Sequence, residues 1–372
     1  MADIVFKDNW DETRQRYDAW LHGQKTDRPL MSLRAVRPED TRMVKSMPEL
    51  PYDDLKDRYT NVDKHFARSM NRFGVTTFLA ESYPQIGAFL GAGSMALYLG
   101  SDPVFADDTI WFTESIDDYS GLEFTYDPEN KWWKFQLELL KKQAASAAGT
   151  DIIVGIPDIV ENIDILSAMR GPSQCCYDIY DYPDEVKKAL AQLTDLYQIY
   201  YDAIYDIVKK PDGSSSYGPY NVYGSGKSAK IQCDFSALIS PEHFDEFVMP
   251  GLTKQCDGLD NIIFHLDGEE CIVHLDSLLS LSRLGAIQWT PPPGPSDIKA
   301  ANDKWFDLYK KVRKAGKGLW LSLAEYGPEG SIEAADKIIR EIGPGGLYFQ
   351  FPDMDIKLAQ SLMLRAERDW KA

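Results

Sequence analysis

The segment at residues 262–268, IIFHLDG, has the residue types and the spacing of a reactive site. Its apolar, β-branched start predicts a buried strand, and this strand ends in His265 and Asp267. Residues two apart in a strand point to the same side, so the imidazole and the carboxylate are expected to lie next to each other. Such a pair can share a proton or bind a metal ion, and a buried pair with a purely structural role is the alternative.

Polar side chains also follow the other predicted strands. If the strands are parallel, their carboxyl ends meet at one edge of the sheet and these side chains gather there. The candidates are Arg34, Glu81, Asp158, Asp234, His265, Asp267, Gln288, Trp289, Glu325, Gln350 and Asp353. Carboxylates dominate this set and repel one another, so pairing with a cation is expected. For Asp158, Asp353 and Asp355, capping of the following helix is the alternative role.

A histidine and two carboxylates can hold Zn²⁺ with one coordination position left open, which is the arrangement of a catalytic zinc site. We predict that His265, Asp267 and Glu325 are the ligands. The identity of the third ligand stays open on sequence grounds, because other side chains could also reach a metal. These are Cys271, Glu270, Gln350 and Glu81.

Eight predicted strands alternate with eight predicted helices. The strands are expected at residues 29–33, 75–80, 152–157, 230–235, 262–266, 286–289, 319–323 and 347–351, and the helices at 52–73, 130–148, 183–209, 241–257, 270–279, 297–315, 331–342 and 355–370. This alternation favours an α/β fold in one domain, a single (β/α)8 TIM barrel over residues 1–372 with an N-terminal helical extension at residues 1–26. Residues 84–128 interrupt the alternation and are predicted to be an insertion that forms a lid or pocket wall. Residues 211–228, rich in Gly, Ser and Tyr, are expected to form an irregular, mobile loop.

The composition limits the classes of function. The chain has 372 residues, of which 44% are hydrophobic, and no apolar run of 18 or more, so it can bury a large core without spanning a bilayer. A net charge of −18 disfavours binding to nucleic acid or to anionic membranes. Five scattered cysteines without a CxxC pair argue against a disulfide framework and a structural zinc module. The first 20 residues lack an apolar signal core, so a cytoplasmic location is expected.

Five segments, taken in order, resemble the uroporphyrinogen decarboxylase superfamily. They are DRPLMSLRAVRPE (27–39), VGIPDIVENIDIL (154–166), QCDFSALISPEHFDEFVMPGL (232–252), FHLDGEECIVHLDSLLSLSRLGAIQW (264–289) and GKGLWLSLAEYGPEG (316–330). This superfamily contains the decarboxylase and corrinoid-linked methyltransferases, so the resemblance implies an enzyme on a (β/α)8 barrel. The reaction stays open, because one barrel hosts many chemistries.

The resemblance favours the methyltransferase branch. Uroporphyrinogen decarboxylases bind an octa-anionic tetrapyrrole with a segment of the form MRQAGR and an aspartate after the second strand, where this chain has SLRAVR and LAESYP. An acidic cleft is a poor receptor for a polyanion. Members that methylate thiols carry HxC zinc ligands at the fifth strand, where this chain has Asp267 instead of the cysteine. A more oxygen-rich ligand set makes Zn²⁺ better suited to polarising an ether or hydroxyl oxygen.

The resulting hypothesis is a zinc enzyme that takes a methyl group from a small methylated substrate, such as a methoxylated aromatic compound, and passes it to a partner corrinoid protein that carries the cobalamin. Glu81 is predicted to act as general acid beside His265 and Asp267. Substrate contacts are predicted for Arg34, Tyr83, Trp111, Asp158, Gln288 and Trp289. A decarboxylase or lyase of a small acid and a non-catalytic ligand-binding protein are the alternatives. The sequence leaves monomer and homodimer open.

Overall fold

The chain folds into helices packed on a central sheet, in a computed structural model that describes residues 4–160, 162–293 and 299–371. The strands are β1 (Leu30–Val36), β2 (Thr76–Ala80), β3 (Gln85–Ile86), β4 (Pro103–Phe105), β5 (Ile110–Phe112), β6 (Ile153–Val154), β7 (Ser215–Tyr217), β8 (Val222–Gly224), β9 (Ser228–Gln232), β10 (Asn261–Asp267), β11 (Ala286–Thr290), β12 (Gly318–Ser322), β13 (Leu347–Gln350) and β14 (Met354–Asp355). Each of the eight predicted strands therefore exists, which confirms the alternating α/β pattern.

The helices lie between these strands. They are α1 (Trp10–Leu21), α2 (Leu55–Thr60), α3 (Val62–Gly74), α4 (Met95–Tyr98), α5 (Lys131–Ala147), α6 (Asn162–Arg170), α7 (Pro172–Asp181), α8 (Pro183–Val208), α9 (Pro241–His243), α10 (Met249–Asp257), α11 (Leu275–Ser280), α12 (Phe306–Lys314), α13 (Gly327–Ile342) and α14 (Ile356–Asp369). The predicted helix start at residue 297 and residues 1–3 of the predicted extension lie outside the described residues. None of the helices in the described ranges combines the length and the apolar character that crossing a bilayer requires.

The central sheet has eight strands. Seven of them follow the hydrogen-bonded order β14-β1-β13-β12-β11-β10-β9, and the eighth, β2, lies outside this path and pairs with β1. Every neighbouring pair along this path is parallel. The strand β2 is the exception, because it runs antiparallel to β1, with Ser32 opposite Ala80 and Val36 opposite Thr76. The second strand therefore ends beside the beginning of β1 and not at the carboxyl ends of the other strands.

The segment at residues 211–228 is a buried β-hairpin and not the mobile loop that its composition predicts. Its strands β7 and β8 pair antiparallel, and all six of their residues are buried. The Ile156 amide donates to Ser216 O at 2.8 Å, and the Ser228 amide donates to the Ser215 hydroxyl at 2.9 Å. The hairpin thus lies between β6 and β9, and it places residues 218–221 at its tip.

The two faces of the sheet bury different sets of side chains. One large cluster includes Phe264, Leu266, Ile287 and Trp289 and packs against the helices. The residues that alternate with them point to the opposite face, where Ile263, Ala286, Trp320 and Tyr348 form a second cluster with Tyr17 and Trp20 of α1. This division follows from the period of two in a strand, which sends successive side chains to opposite faces.

The predicted insertion at residues 84–128 contains β3, α4 and a small hairpin formed by β4 and β5. Gly91 has φ +95°, and a Cβ atom there would lie 2.7 Å from Ile110 O and 2.8 Å from the Phe112 ring. Glycine therefore allows the β4–β5 hairpin to lie directly on this segment. Its function as a lid or pocket wall stays a prediction.

Candidate active site

Three neighbouring parallel strands place polar side chains on the same face of the sheet. In the register of β9, β10 and β11, His265 lies opposite Gln232 on one side and opposite Gln288 on the other. Asp267 lies two residues further along β10 and points to the same face. The His265 side chain is 13% exposed and the Asp267 side chain 46% exposed, so the pair faces an opening and is not enclosed in the core.

The contacts of His265 determine which nitrogen is free to bind a ligand. Its Nδ1 contacts Oε1 of Gln288, and the amide nitrogen of Gln288 donates to the Thr290 hydroxyl at 2.8 Å. Because an amide oxygen can only accept, Nδ1 carries the proton of the neutral imidazole. The lone pair is therefore on Nε2, which lies 3.8 Å from Asp267 Oδ2. Histidine metal ligands commonly donate their other ring N–H to a protein acceptor in this way, and this bond fixes the tautomer and orients the free nitrogen.

The tip of the β7–β8 hairpin contributes a second partner to His265. The Tyr220 hydroxyl lies 2.9 Å from Nδ1, and the two rings are 5.6 Å apart. The Trp320 ring packs against that of Tyr220 with centroids 5.0 Å apart, and its indole N–H donates to the Tyr220 backbone oxygen. Burial lowers the pKa of His265, and the nearby Lys230 ammonium lowers it further. A lowered pKa favours the neutral imidazole, which is the metal-binding form.

Asp234 completes a group that can hold a metal ion. One ligand atom each from Asp234, His265 and Asp267 lies within 4.8 Å of the other two. Asp234 begins the 3₁₀ turn Asp234–Leu238, which follows directly after β9. An imidazole nitrogen with two carboxylate oxygens fits Zn²⁺ with one position open, as in catalytic zinc sites. The same donor set also suits Mn²⁺ or Fe²⁺.

The electrostatics of the carboxylates are consistent with a bound cation. The Asp234 side chain is accessible to solvent, although protein surrounds it on most sides. Burial raises the pKa of Asp234, the Lys230 ammonium lowers it, and the Asp267 carboxylate raises it. Burial also raises the pKa of Asp164, and the neighbouring Asp234 carboxylate adds to this rise. Like charges this close are costly unless a proton or a cation neutralises them. A divalent ion among Asp234, His265 and Asp267 would supply that neutralisation.

A cavity of about 580 Å³ adjoins the ligand group at Asp234. Asp164, Gln232 and Asp234 line its polar end. The remaining wall is mainly apolar and includes Ile110, Trp111, Phe112, Val160, Ile165, Phe235 and Leu238. Trp111 is 64% exposed, so one wall of the cavity has a large aromatic residue that is free to contact a ligand. This volume and lining suit a small, largely apolar molecule.

Glu325, which the sequence suggests as the third metal ligand, is not in this group. Its side chain is exposed, and its backbone oxygen accepts a hydrogen bond from Lys299 Nζ at 2.8 Å. Asp234 lies beside His265 and Asp267 because β9 is the direct neighbour of β10, whereas Glu325 follows β12, which is separated from β10 by β11. Strand order, which the sequence does not reveal, decides between the two.

Glu81 lies away from the site and is paired. Its carboxylate accepts two hydrogen bonds at 3.0 Å from Arg28 and one at 2.7 Å from the Met31 amide, and its side chain is 1% exposed. The cause is the antiparallel direction of β2, which carries its end toward the beginning of β1. This environment fits a structural ion pair and gives no support to the predicted role as general acid.

The remaining predicted contact residues are divided among several environments. Trp289 points to the helix layer, where its ring lies 5.0 Å from that of Trp305. Tyr83 is buried, and its hydroxyl bonds to that of Ser216 at 2.6 Å. Arg34 Nε donates to Asp353 Oδ1 at 2.7 Å, and both side chains line a smaller cavity of about 160 Å³ together with Tyr83. Asp353 therefore pairs with Arg34, whereas Asp355 caps α14 as expected.

Gln288, in contrast, contacts His265, and Asp158 contacts Lys230 in the neighbouring strand β9. The Asp158 carboxylate pairs with Lys230 and accepts from the Tyr217 hydroxyl at 2.9 Å. The sequence-based prediction does not include Lys230, Gln232 or Tyr220. The first two leave a signal, because they alternate with Ala229 and Ile231 in β9 and so share one face of a buried strand. Tyr220 leaves none, since the hairpin that carries it resembles a loop in composition.

Comparison with known proteins supports the fold. No family model matches this chain, and no curated protein matches it in sequence. Among solved structures, a methyltransferase from Methanosarcina mazei is similar, with a TM-score of 0.58 and 14% identity over 96% of this chain and 98% of that one. A B12-independent methionine synthase from Shewanella sp. W3-18-1, in complex with selenomethionine, gives a TM-score of 0.48 and 8% identity over 92% of this chain and 97% of that one. The first similarity shows a shared fold, and the second is too weak to carry an argument.

Proposed function

We propose that this protein is a methyltransferase on a single (β/α)8 barrel, which takes a methyl group from a small methylated substrate and passes it to a partner corrinoid protein. The observation that carries the proposal is the convergence of Asp234, His265 and Asp267 beside a largely apolar cavity. The fold shared with a methyltransferase adds support. The aromatic and aliphatic cavity wall favours a methoxylated aromatic compound as the methyl donor.

In the proposed reaction the ether C–O bond of the donor would break, and its electron pair would leave with the phenolate. The methyl group would pass to the partner's cobalamin, which in its Co(I) form would supply the electron pair of the new bond. Zn²⁺, when bound, would supply Lewis-acid stabilisation of the negative charge that develops on the leaving oxygen. Gln288 keeps the His265 tautomer that directs Nε2 toward the ligand group, and the cavity wall excludes water from the aromatic ring.

A decarboxylase on the same barrel has less support. That reaction needs a cation to hold the substrate carboxylate. Arg34 of β1 and Lys230 of β9 are the candidate cations, but each already pairs with an aspartate, Asp353 and Asp158 respectively. A substrate acid would have to displace these partners.

The proposal is tested by metal analysis of protein produced with added zinc, followed by an assay of methyl transfer. We expect about one Zn²⁺ per chain, and methylation of free cob(I)alamin by a methoxylated aromatic compound, followed by the change in cobalamin absorbance. Protein stripped with a chelator should be inactive until Zn²⁺ is returned, whereas Mg²⁺ should not restore it, because the nitrogen ligand suits zinc better. A wild-type protein without stoichiometric metal would remove the proposed chemistry.

Substitution of two tryptophans distinguishes a residue of the cavity wall, Trp111, from a residue of the core, Trp289. Replacing Trp111 with alanine should raise KM for the aromatic donor by about tenfold and leave stability unchanged, since the indole is exposed and contributes one apolar wall. Replacing Trp289 with alanine should lower the free energy of unfolding by about 3–5 kcal/mol, because its ring fills the layer between sheet and helices. Steady-state kinetics and denaturant unfolding of both variants provide the comparison. An unchanged KM in the Trp111 variant would show that the β4–β5 hairpin does not bind the substrate.

A further inference from the structure

We propose that Lys230 is a positioning residue for the ligand Asp234 and acts through the side chain of Gln232. The inference rests on the proposed function, since it concerns the same metal site. Lys230 and Gln232 are two residues apart in β9, so both point to the face that carries His265. The Lys230 side chain is 1% exposed, which is unusual for a lysine and requires partners for its charge.

Among the described residues the ammonium group has two hydrogen-bond partners, and the Tyr217 ring lies 5.7 Å from it. Nζ lies 2.8 Å from Asp158 Oδ1 and 2.9 Å from Oδ2, and it also contacts Oε1 of Gln232. An ammonium only donates, so the contact with Gln232 must involve the amide oxygen. Lys230 therefore fixes the orientation of this amide and turns its NH₂ group away from itself.

The NH₂ group of Gln232 reaches the metal ligand. Nε2 donates to Asp234 Oδ2 at 3.0 Å and lies 3.3 Å from Asp164 Oδ2. Asp164 in turn accepts the backbone amides of Asp234 and Phe235, each at 2.9 Å. The chain of contacts runs from Asp158 through Lys230 and Gln232 to the carboxylate of Asp234. It leaves one carboxylate oxygen of Asp234 without a contact from Gln232 and aligns the group with His265 and Asp267.

Stability alone does not account for this arrangement. A buried ion pair loses much of its Coulomb energy to desolvation, and an apolar side chain of similar volume often gives an equally stable protein. A hydrogen-bonded chain that ends on a metal ligand has a further effect, because the partners of a ligand orient it for the ion. We therefore assign to Lys230 a role in metal affinity that a methionine cannot supply.

The test compares Lys230→Met with Lys7→Met. Lys7 is also a buried lysine, but its Nζ donates to Ala80 O at 2.7 Å, beside β2. We expect Lys230→Met to bind Zn²⁺ about 10- to 100-fold more weakly in chelator competition. The visible absorption of its Co²⁺ form should also change, because that spectrum reports coordination geometry. Lys7→Met should keep the wild-type affinity and spectrum.

Two further variants make the result decisive. Gln232→Leu should reproduce the loss of affinity, because it breaks the same chain without removing a charge, and it decides the question if Lys230→Met does not fold. Lys230→Arg should recover part of the affinity, since a guanidinium can donate to Asp158 and Gln232 together. Wild-type affinity and spectrum in both Lys230→Met and Gln232→Leu would overturn the inference and leave the proposed function intact. Wild-type protein that binds neither Zn²⁺ nor Co²⁺ would overturn both.

Discussion

Replacing His265 with alanine is expected to remove the bound metal and to lower kcat/KM by about 10³-fold, which corresponds to roughly 4 kcal/mol of transition-state stabilisation. The imidazole is the single nitrogen donor of the ligand group within the described residues, and its Nε2 is directed toward Asp267. Two carboxylates alone would hold zinc weakly and without a defined geometry. Metal analysis by mass spectrometry and methylation of cob(I)alamin measure the two effects.

Two matched carboxylate variants accompany this experiment. Asp234→Asn should lose metal as His265→Ala does, whereas Glu325→Gln should retain metal and activity, because Glu325 is exposed and outside the ligand group. The reverse pattern, with metal lost from the Glu325 variant and kept in the Asp234 variant, would show that the sequence-based choice of ligand is the correct one. Retention of metal and full activity in His265→Ala would reject the site as a whole.

Replacing Glu81 with alanine is expected to lower the free energy of unfolding by about 3–5 kcal/mol without loss of bound metal. The carboxylate neutralises Arg28, whose side chain is 4% exposed, and it satisfies the Met31 amide. Removal leaves a buried guanidinium without its anion, and the desolvation of that charge is then uncompensated. Denaturant unfolding of the variant and the wild type gives the difference.

An exposed ion pair provides the control for this measurement. Asp102 and Lys131 lie 2.7 Å apart, but their side chains are 59% and 71% exposed, so Asp102→Ala should cost less than about 1 kcal/mol. A Glu81→Ala protein with wild-type stability but without turnover would identify Glu81 as a catalytic group and contradict the structural role assigned here. Glu81→Gln keeps the shape and one acceptor and should lie between alanine and wild type.

Part of the site follows from the sequence alone because its causes are local. The alternation of side chains in a strand places His265 and Asp267 on one face, whatever the rest of the chain does. In the same way, the apolar runs mark all eight predicted strands, since a buried strand needs consecutive apolar residues. The polar ends of these strands point to a site at their carboxyl ends.

Contacts between distant segments depend on the tertiary structure. Strand direction separates Glu81 from the site, because β2 runs against β1 and its end meets Arg28. Strand order places Asp234, and not Glu325, beside His265 and Asp267, and the hairpin between β6 and β9 places Tyr220 next to His265. Direction, order and register result from pairing between residues far apart in the chain, so no local pattern encodes them. For this reason the sequence indicates which residues can react, and the fold determines which of them meet.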